Sequence, residues 1–400
     1  MTSFPIDFVR HQFPALAGEW TFFDNAGGSQ ILGRVVDRIS DYLRTSNVQL
    51  GASYAVSRTA TARVTAAAEA VAALMNAADP HAVVLGASTT QLLQNLAHAM
   101  APGLAAGDEI VVTNVDHESN IGPWRRLEAR GVVVKEWKVD PVTLALDVAG
   151  LEPLMTPRTR LVCFTHCSNV VGSIHPVAEI TRFVHARGAQ VCVDGVAYAP
   201  HRAIDVRAWD VDYYVFSLYK VYGPHVAALY GKRARLLALT GINHFFIGPA
   251  EVPYKLQPGN VCFELVHGAV GIGDYLAELA REAGGPPFEA IAAHEEALAA
   301  RLLGFLGAHP RVKVLGRRDP AKEARVPTVS FVVEGRASSS VPPFTDAARI
   351  GIRFGDFYAR RLVDAPGLGP RDGVVRVSMV HYNTLAEVDR LAAVLDDALR

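Results

Sequence analysis

The 400-residue chain is poor in cysteine, in net charge and in long apolar runs, and each shortage removes a class of protein. It holds four cysteines, Cys163, Cys167, Cys192 and Cys262. That is too sparse for a disulfide scaffold, and Cys163 and Cys167 are not in zinc-ribbon spacing, so no metal site is expected. All four stand in apolar, strand-like surroundings, which predicts buried thiols in a reducing compartment, the cytoplasm. Lys and Arg total 39 against 40 Asp and Glu, a formal net charge of -1. With no basic excess, and with dense positions as brief as Lys232-Arg233-Ala234-Arg235, neither nucleic acid nor an anionic membrane is an expected partner. No apolar stretch runs uninterrupted for about 18 residues, so no membrane span is expected. The start, Met1 to Phe8, lacks the basic-then-apolar pattern of a signal peptide.

What is present is core material. Hydrophobic residues make up 50% of the chain and charged ones 20%, enough for a large packed interior. The middle of the chain alternates short β-rich runs with helical stretches. Strands are predicted at Val83 to Leu85, Glu109 to Thr113, Val132 to Val139, Arg160 to Thr165, Gln190 to Val193, Asp212 to Phe216 and Val226 to Tyr230. Helices are predicted at Gln91 to Met100, Ile121 to Arg130 and Val177 to Arg187. Apolar strands alternating with helices imply a doubly wound, mostly parallel α/β sheet covered on both faces. Near Gly284-Gly285-Pro286-Pro287 the texture changes. A long helix (Pro287 to Leu306), strands at Val312 to Leu315, Thr328 to Val333 and Val374 to Ser378, and a helix from Leu385 to Leu399 read as a smaller α+β domain. The expected division is an N-terminal segment 1–20 packing with the small domain, a large domain 21–285 and a small domain 286–400.

In such sheets active sites lie at the carboxyl ends of strands. Ser88 and Thr89 follow the first strand and open a helix, where free N–H groups and the helix dipole favour an anion; both are equally ordinary N-caps. Asp116-His117-Glu118-Ser119-Asn120 follows the second, and Ile121 excludes a His-Glu-x-x-His zinc pattern. Ser168-Asn169 follows the strand ending at Thr165. Asp194 closes an apolar strand, where a carboxylate is costly unless it meets a cation. Ser217-Leu218-Tyr219-Lys220 follows the next, and burial there would depress the lysine pKa and make it nucleophilic. Singly, each is explained by a charge at a strand end. Together, an anion cradle, a flat ring, an acid and a lysine are the parts of a pyridoxal 5'-phosphate site.

On these residues the chain resembles the class V aminotransferases, and within them the cysteine desulfurase-like branch. The resemblance runs from Phe23-Asp24-Asn25-Ala26-Gly27 to Tyr382-Asn383-Thr384. It implies the aspartate aminotransferase-like fold of pyridoxal phosphate-dependent transferases. It also implies roles: Lys220 as the Schiff-base lysine, Asp194 on the pyridinium nitrogen and His117 stacked on the ring. Ser88, Thr89, Ser217 and Tyr219 would hold the phosphate, and Asn169 would lie near the ring hydroxyl or the substrate. Asn25, Arg353 and Arg376 would face the substrate, with Arg376 gripping its carboxylate. Gln257-Pro258-Gly259-Asn260 resembles a loop lent to the partner's site in a homodimer.

Three departures shape the functional expectation. Asp194-Gly195-Val196-Ala197 lacks the usual Gln, for which Tyr198 or His201 are the candidate substitutes. Tyr219 stands where a phosphate-binding His is usual. Tyr358 occupies the place of the catalytic Cys in the loop after Arg353, and a phenol of pKa about 10 cannot carry a persulfide. Cys262 is the alternative nucleophile. The expected function is a desulfurase-like lyase or transferase that cleaves a C–S or C–Se bond of a small amino acid through Lys220 without a catalytic Cys. The alternatives are an aminotransferase or epimerase on another amino acid, or a non-catalytic pyridoxal phosphate-binding partner protein.

Overall fold

The computed structural model describes residues 4–369 and 372–399, so the outermost residues of the expected first and last segments lie outside it. Among the described residues thirteen strands form three sheets. They are β1 (Thr21–Phe22), β2 (Val83–Gly86), β3 (Glu109–Thr113), β4 (Val133–Trp137), β5 (Thr159–Thr165), β6 (Gln190–Asp194) and β7 (Tyr213–Ser217). There follow β8 (Ala227–Gly231), β9 (Val312–Val314), β10 (Thr328–Val333), β11 (Ile350–Gly351), β12 (Arg353–Gly355) and β13 (Val374–Ser378).

The large sheet has seven strands in the order β2-β8-β7-β6-β5-β3-β4. Its two faces read directly from strand alternation. Val111, Val162 and Val191 join one core cluster. Their neighbours Ile110, Val112, Leu161, Cys163 and Cys192 join the other. Each face is therefore covered, which is why these strands are apolar throughout. Only β8 is reversed, antiparallel to both β2 and β7. Consequently β2, β3, β5, β6 and β7 all end on the same edge.

The smaller sheet, β12-β13-β10-β9, is antiparallel. It packs with Leu298, Leu302, Leu391 and Leu395 of the helices Pro287–Ala308 and Leu385–Leu399. β1 pairs with β11, and Phe23 sits in the same cluster, so residues 21–23 pack against the C-terminal sheet. Arg10 in the first helix bonds Glu387 and the Tyr382 carbonyl, tying the N-terminal segment to that sheet's last helix.

Some sequence expectations need revision. The helix expected at Ile121 to Arg130 is a short α-turn, Gly122–Arg125, continued as a 3-10 segment, Arg126–Arg130, that stops at left-handed Gly131. Helices Gly33–Thr45, Ala55–Leu74 and Val270–Ala283 add to those expected from the sequence. Cys163, Cys167 and Cys192 are buried, but Cys262 is exposed, because it lies on the loop before Phe263 and not in a strand. No helix among the described residues is long and apolar enough to cross a membrane.

Candidate active site

The shared strand edge brings Ser88, Thr89, His117, Asn169, Asp194, Ser217, Tyr219 and Lys220 onto one cleft enclosing about 490 Å³ of empty space. Each residue arrives by a strand end: Ser88 caps the helix after β2, Asp194 ends β6, and Ser217 ends β7 with Lys220 one turn beyond.

At the cradle the Ser88 hydroxyl accepts from the Gln91 N–H, so its capping role is real. Thr89 and Ser217 hydroxyls meet at 2.7 Å. The first helical turn, Thr89–Thr90, leaves N–H groups without intrahelical acceptors, the kind of donor that an anion takes up. Tyr219 lines the cleft and stacks on His225, with ring centroids 4.8 Å apart.

Asp194 is buried, and desolvation pushes its carboxyl up to about 6. A single backbone N–H, from Val196, donates to it. A cation beside it would restore the ionised form. Gly195 lets the chain turn away immediately after Asp194: a Cβ there would run into the Tyr214 ring. Lys220 is 7% exposed. Burial, aided by Arg376, lowers it to about 8, against the pull of Asp194 and Asp24. Its amine is therefore partly neutral near physiological pH, as a nucleophile and proton carrier requires.

His117 is lowered to about 4, first by burial and then by Lys220 and Arg376. Its Nδ1 accepts from the Ser119 N–H at 3.1 Å, which places the proton of the neutral ring on Nε2. Beneath it Asp116 accepts from Thr113, Asn120 and the Thr165 N–H. Burial nonetheless raises Asp116 to about 7.

Arg376 is 2% exposed. It donates to Asp24 at 2.7 Å and to the Asn169 carbonyl at 3.0 Å, while its Nε has no partner. Its guanidinium lies 3.7 Å over the Phe357 ring. Phe357 and Tyr358 both hold left-handed φ, 53° and 59°. The strain is held by two bonds: Asn169 donates to the Phe357 carbonyl and Glu118 N–H to the Tyr358 carbonyl. The Tyr358 ring thereby sits 5.2 Å from the His117 ring and is largely exposed.

Asn25, expected to face the substrate, is spent. Its amide donates to Phe22, Ser378 and Asn383 and its oxygen accepts from Tyr382. The neighbouring Asp24, in the segment with which the resemblance begins, is the residue that reaches Arg376. Arg353 is more than half exposed and lies 4.0 Å from Asp24. Neither candidate for the missing Gln reaches the cleft: Tyr198 lies flat on His166 at 3.5 Å, and His201 bonds Glu295. Cys167 and Thr165, not anticipated, do line it; their place between a strand and the expected Asn169 was the available signal. Loop residues Gln257 to Asn260 and exposed Cys262 border a second hollow with Ala87 and His225.

The donor set fits pyridoxal phosphate: hydroxyls and N–H groups for the phosphate, a buried acid, a neutral ring and a buried amine on one cleft. Comparison with known proteins points the same way. The model of class-V aminotransferases matches residues 21–391. An aminotransferase-like protein of Gibberella zeae is 45% identical over 100% of this chain and 99% of its own length. A cysteine desulfurase-like protein of Aspergillus flavus is 36% identical over 98% of this chain and 90% of its own. The crystal structure of an Escherichia coli cysteine desulfurase superposes with a TM-score of 0.86 at 29% identity, covering 100% of this chain and 99% of that one.

Proposed function

Because the chain belongs to the class-V aminotransferase family, and is a pyridoxal phosphate-dependent enzyme of desulfurase-like kind, we propose that it removes a β-substituent from a small amino acid without a protein thiol. The substituent is carried through sulfur or selenium. The observation that carries this reading is the cleft: Lys220, Asp194 and His117 converge on it, yet the side chain that the loop after Arg353 sets beside His117 is the phenol of Tyr358 and not a thiol.

When bound, the cofactor supplies an electron sink for the substrate α-carbon. With the cofactor bound, Asp194 would keep its ring nitrogen protonated and His117 would lie against the ring. Ser88, Thr89, Ser217 and Tyr219 would hold the phosphate. Lys220 would hold the cofactor and move the proton at the substrate α-carbon. Arg376 orients the carboxylate with its buried guanidinium. Cys167 is a poor nucleophile despite its place on the cleft: burial pushes its thiol up to about 12, and it is spent on the Gly172 carbonyl. Cys262 borders the neighbouring hollow. The reading includes a homodimer in which Gln257–Asn260 reaches the partner's cleft, the division at 20/21 and 285/286, and a cytoplasmic setting that keeps the thiols reduced.

The test is product analysis of the cofactor-loaded protein with L-cysteine and L-cysteine sulfinate. Alanine with sulfite is expected from L-cysteine sulfinate; from L-cysteine, pyruvate with ammonia and hydrogen sulfide marks β-elimination, also thiol-free, and alanine is expected only when an added thiol accepts the sulfur. Lys220→Ala is expected to abolish turnover and the covalently held cofactor band. Full turnover in that variant, or a keto acid matched to the substrate with a pyridoxamine form, overturns the reading.

A further inference from the structure

We propose that Asp24 is a gate on the carboxylate clamp, occupying Arg376 in the resting state and passing to Arg353 when a substrate carboxylate arrives. The inference rests on the reading of Arg376 as that clamp.

The geometry is that of a site filled by its own chain. Arg376 is held on one face by Phe357 at 3.7 Å and on one edge by the Asn169 carbonyl at 3.0 Å. Its Nη2 donates to Asp24 Oδ1 at 2.7 Å, the interaction an incoming carboxylate would make. Its buried Nε has no acceptor, so the fork is half used. A second carboxylate placed here beside Asp24 would meet like charge. Asp24 therefore has to leave or be neutralised.

Lys220 feels Asp24 from within the cleft, and Arg353 is the cation that Asp24 can turn to outside it. The backbone is pinned, with residue 24 bridged to Ser378 and its carbonyl accepting from the Gly27 N–H, so only the side chain turns. Oδ2 already lies 4.0 Å from Arg353 Nη1. The Arg353 side chain is 57% exposed, against 2% for Arg376. A carboxylate transferred from the buried guanidinium to the exposed one regains water, while the substrate takes the dry position. Asp24 acts through Arg376 and is a positioning residue. Arg353, expected to face the substrate, becomes the acceptor of the displaced Asp24. The gate also explains why a buried arginine beside a strained loop is stable before substrate binds.

The probe is propionate, a carboxylate with no amino group to react, titrated into the cofactor-loaded protein and read by the cofactor's visible absorption and by the rise in Tm. Asp24→Asn keeps size and an acceptor for Arg376; it is expected to bind propionate about five- to ten-fold tighter. Arg353→Gln, at an exposed position, is expected to bind it several-fold weaker, because Asp24 loses its alternative. The double variant is expected to match Asp24→Asn, since Arg353 acts only through Asp24. Unchanged or weaker binding by Asp24→Asn overturns the gate, and so does an Arg353→Gln effect that persists in the double variant. If Asp24→Asn does not fold, unchanged binding by Arg353→Gln overturns it alone. Absence of propionate binding in every form removes the clamp itself. Failure of C–S cleavage with these affinities intact removes only the reaction assigned above.

Discussion

Two of the buried charged clusters among the described residues are built differently. Behind the large sheet, Glu295 on the helix Pro287–Ala308 accepts from His201 and Arg202, each at 2.8 Å. Arg202 also donates to the carbonyls of His201, Lys322 and Arg325. Arg325 spends its guanidinium on the carbonyls of Arg317, Val171, Val326 and Thr328. No guanidinium nitrogen of this pair is left over. In the cleft, Asp194 has one N–H donor, Arg376 keeps an orphan Nε, and Lys220 is depressed to about 8. Burial is equal; satisfaction is not. The complete network fastens one part of the chain to another, and the incomplete one marks where a ligand completes the bonding.

Breaking the complete cluster costs the most. Glu295→Ala leaves Arg202 buried without its carboxylate, and a stability loss of about 3–5 kcal/mol is expected from denaturant melts, with KM of the remaining folded enzyme unchanged. Asn25→Ala comes next. It strips a fully bonded amide from between β1 and the segment after β13, and a loss of about 1–3 kcal/mol is expected. Its KM is expected to hold, which separates a clasp from a substrate contact; a KM rise beyond the stability effect would restore Asn25 to the site.

The smallest effect on stability has the opposite sign. Asp194 has its folded pKa raised to about 6, so the folded state binds more protons than the unfolded one between about pH 4 and 6. Its contribution is favourable below about pH 4 and is lost as pH rises through 6. In the cofactor-free protein Asp194→Asn is therefore expected to raise Tm above pH 6 and leave it unaltered below pH 4. The same variant is expected to lose about a hundred-fold or more in turnover when loaded with cofactor. A lower Tm at pH 7 would mean that Asp194 is paired like Glu295, and the contrast between the clusters would fall.

Much of the fold is legible in the amino-acid sequence. β3 and β10 are short β-branched runs with turn residues on both sides, and the chain marks their ends plainly. The reversal of β8 is not legible, because a strand buried on both faces has the same composition in either direction. Helix Ala55–Leu74 escapes a pattern reading because its alanines blur the apolar stripe. Of the site, the row from Ser88 to Lys220 is legible because each member directly follows a strand. The clamp is less so. Asp24 and Asn25 are adjacent, and only their side-chain directions separate a clamp partner from a clasp.

By itself the sequence determined the alternation of strand and helix, the apolar faces, and the row of reactive residues placed just after strands. Those are local matters, set by period and by chain direction. Which of those residues meet was decided by the tertiary structure. Arg376 finds Asp24 across 352 positions, and Glu295 finds His201 across 94. Such partnerships depend on how strands are ordered and which hydrogen bonds are already taken. No local pattern encodes that, because the same side chain is reactive when its bonding is incomplete and structural when it is full.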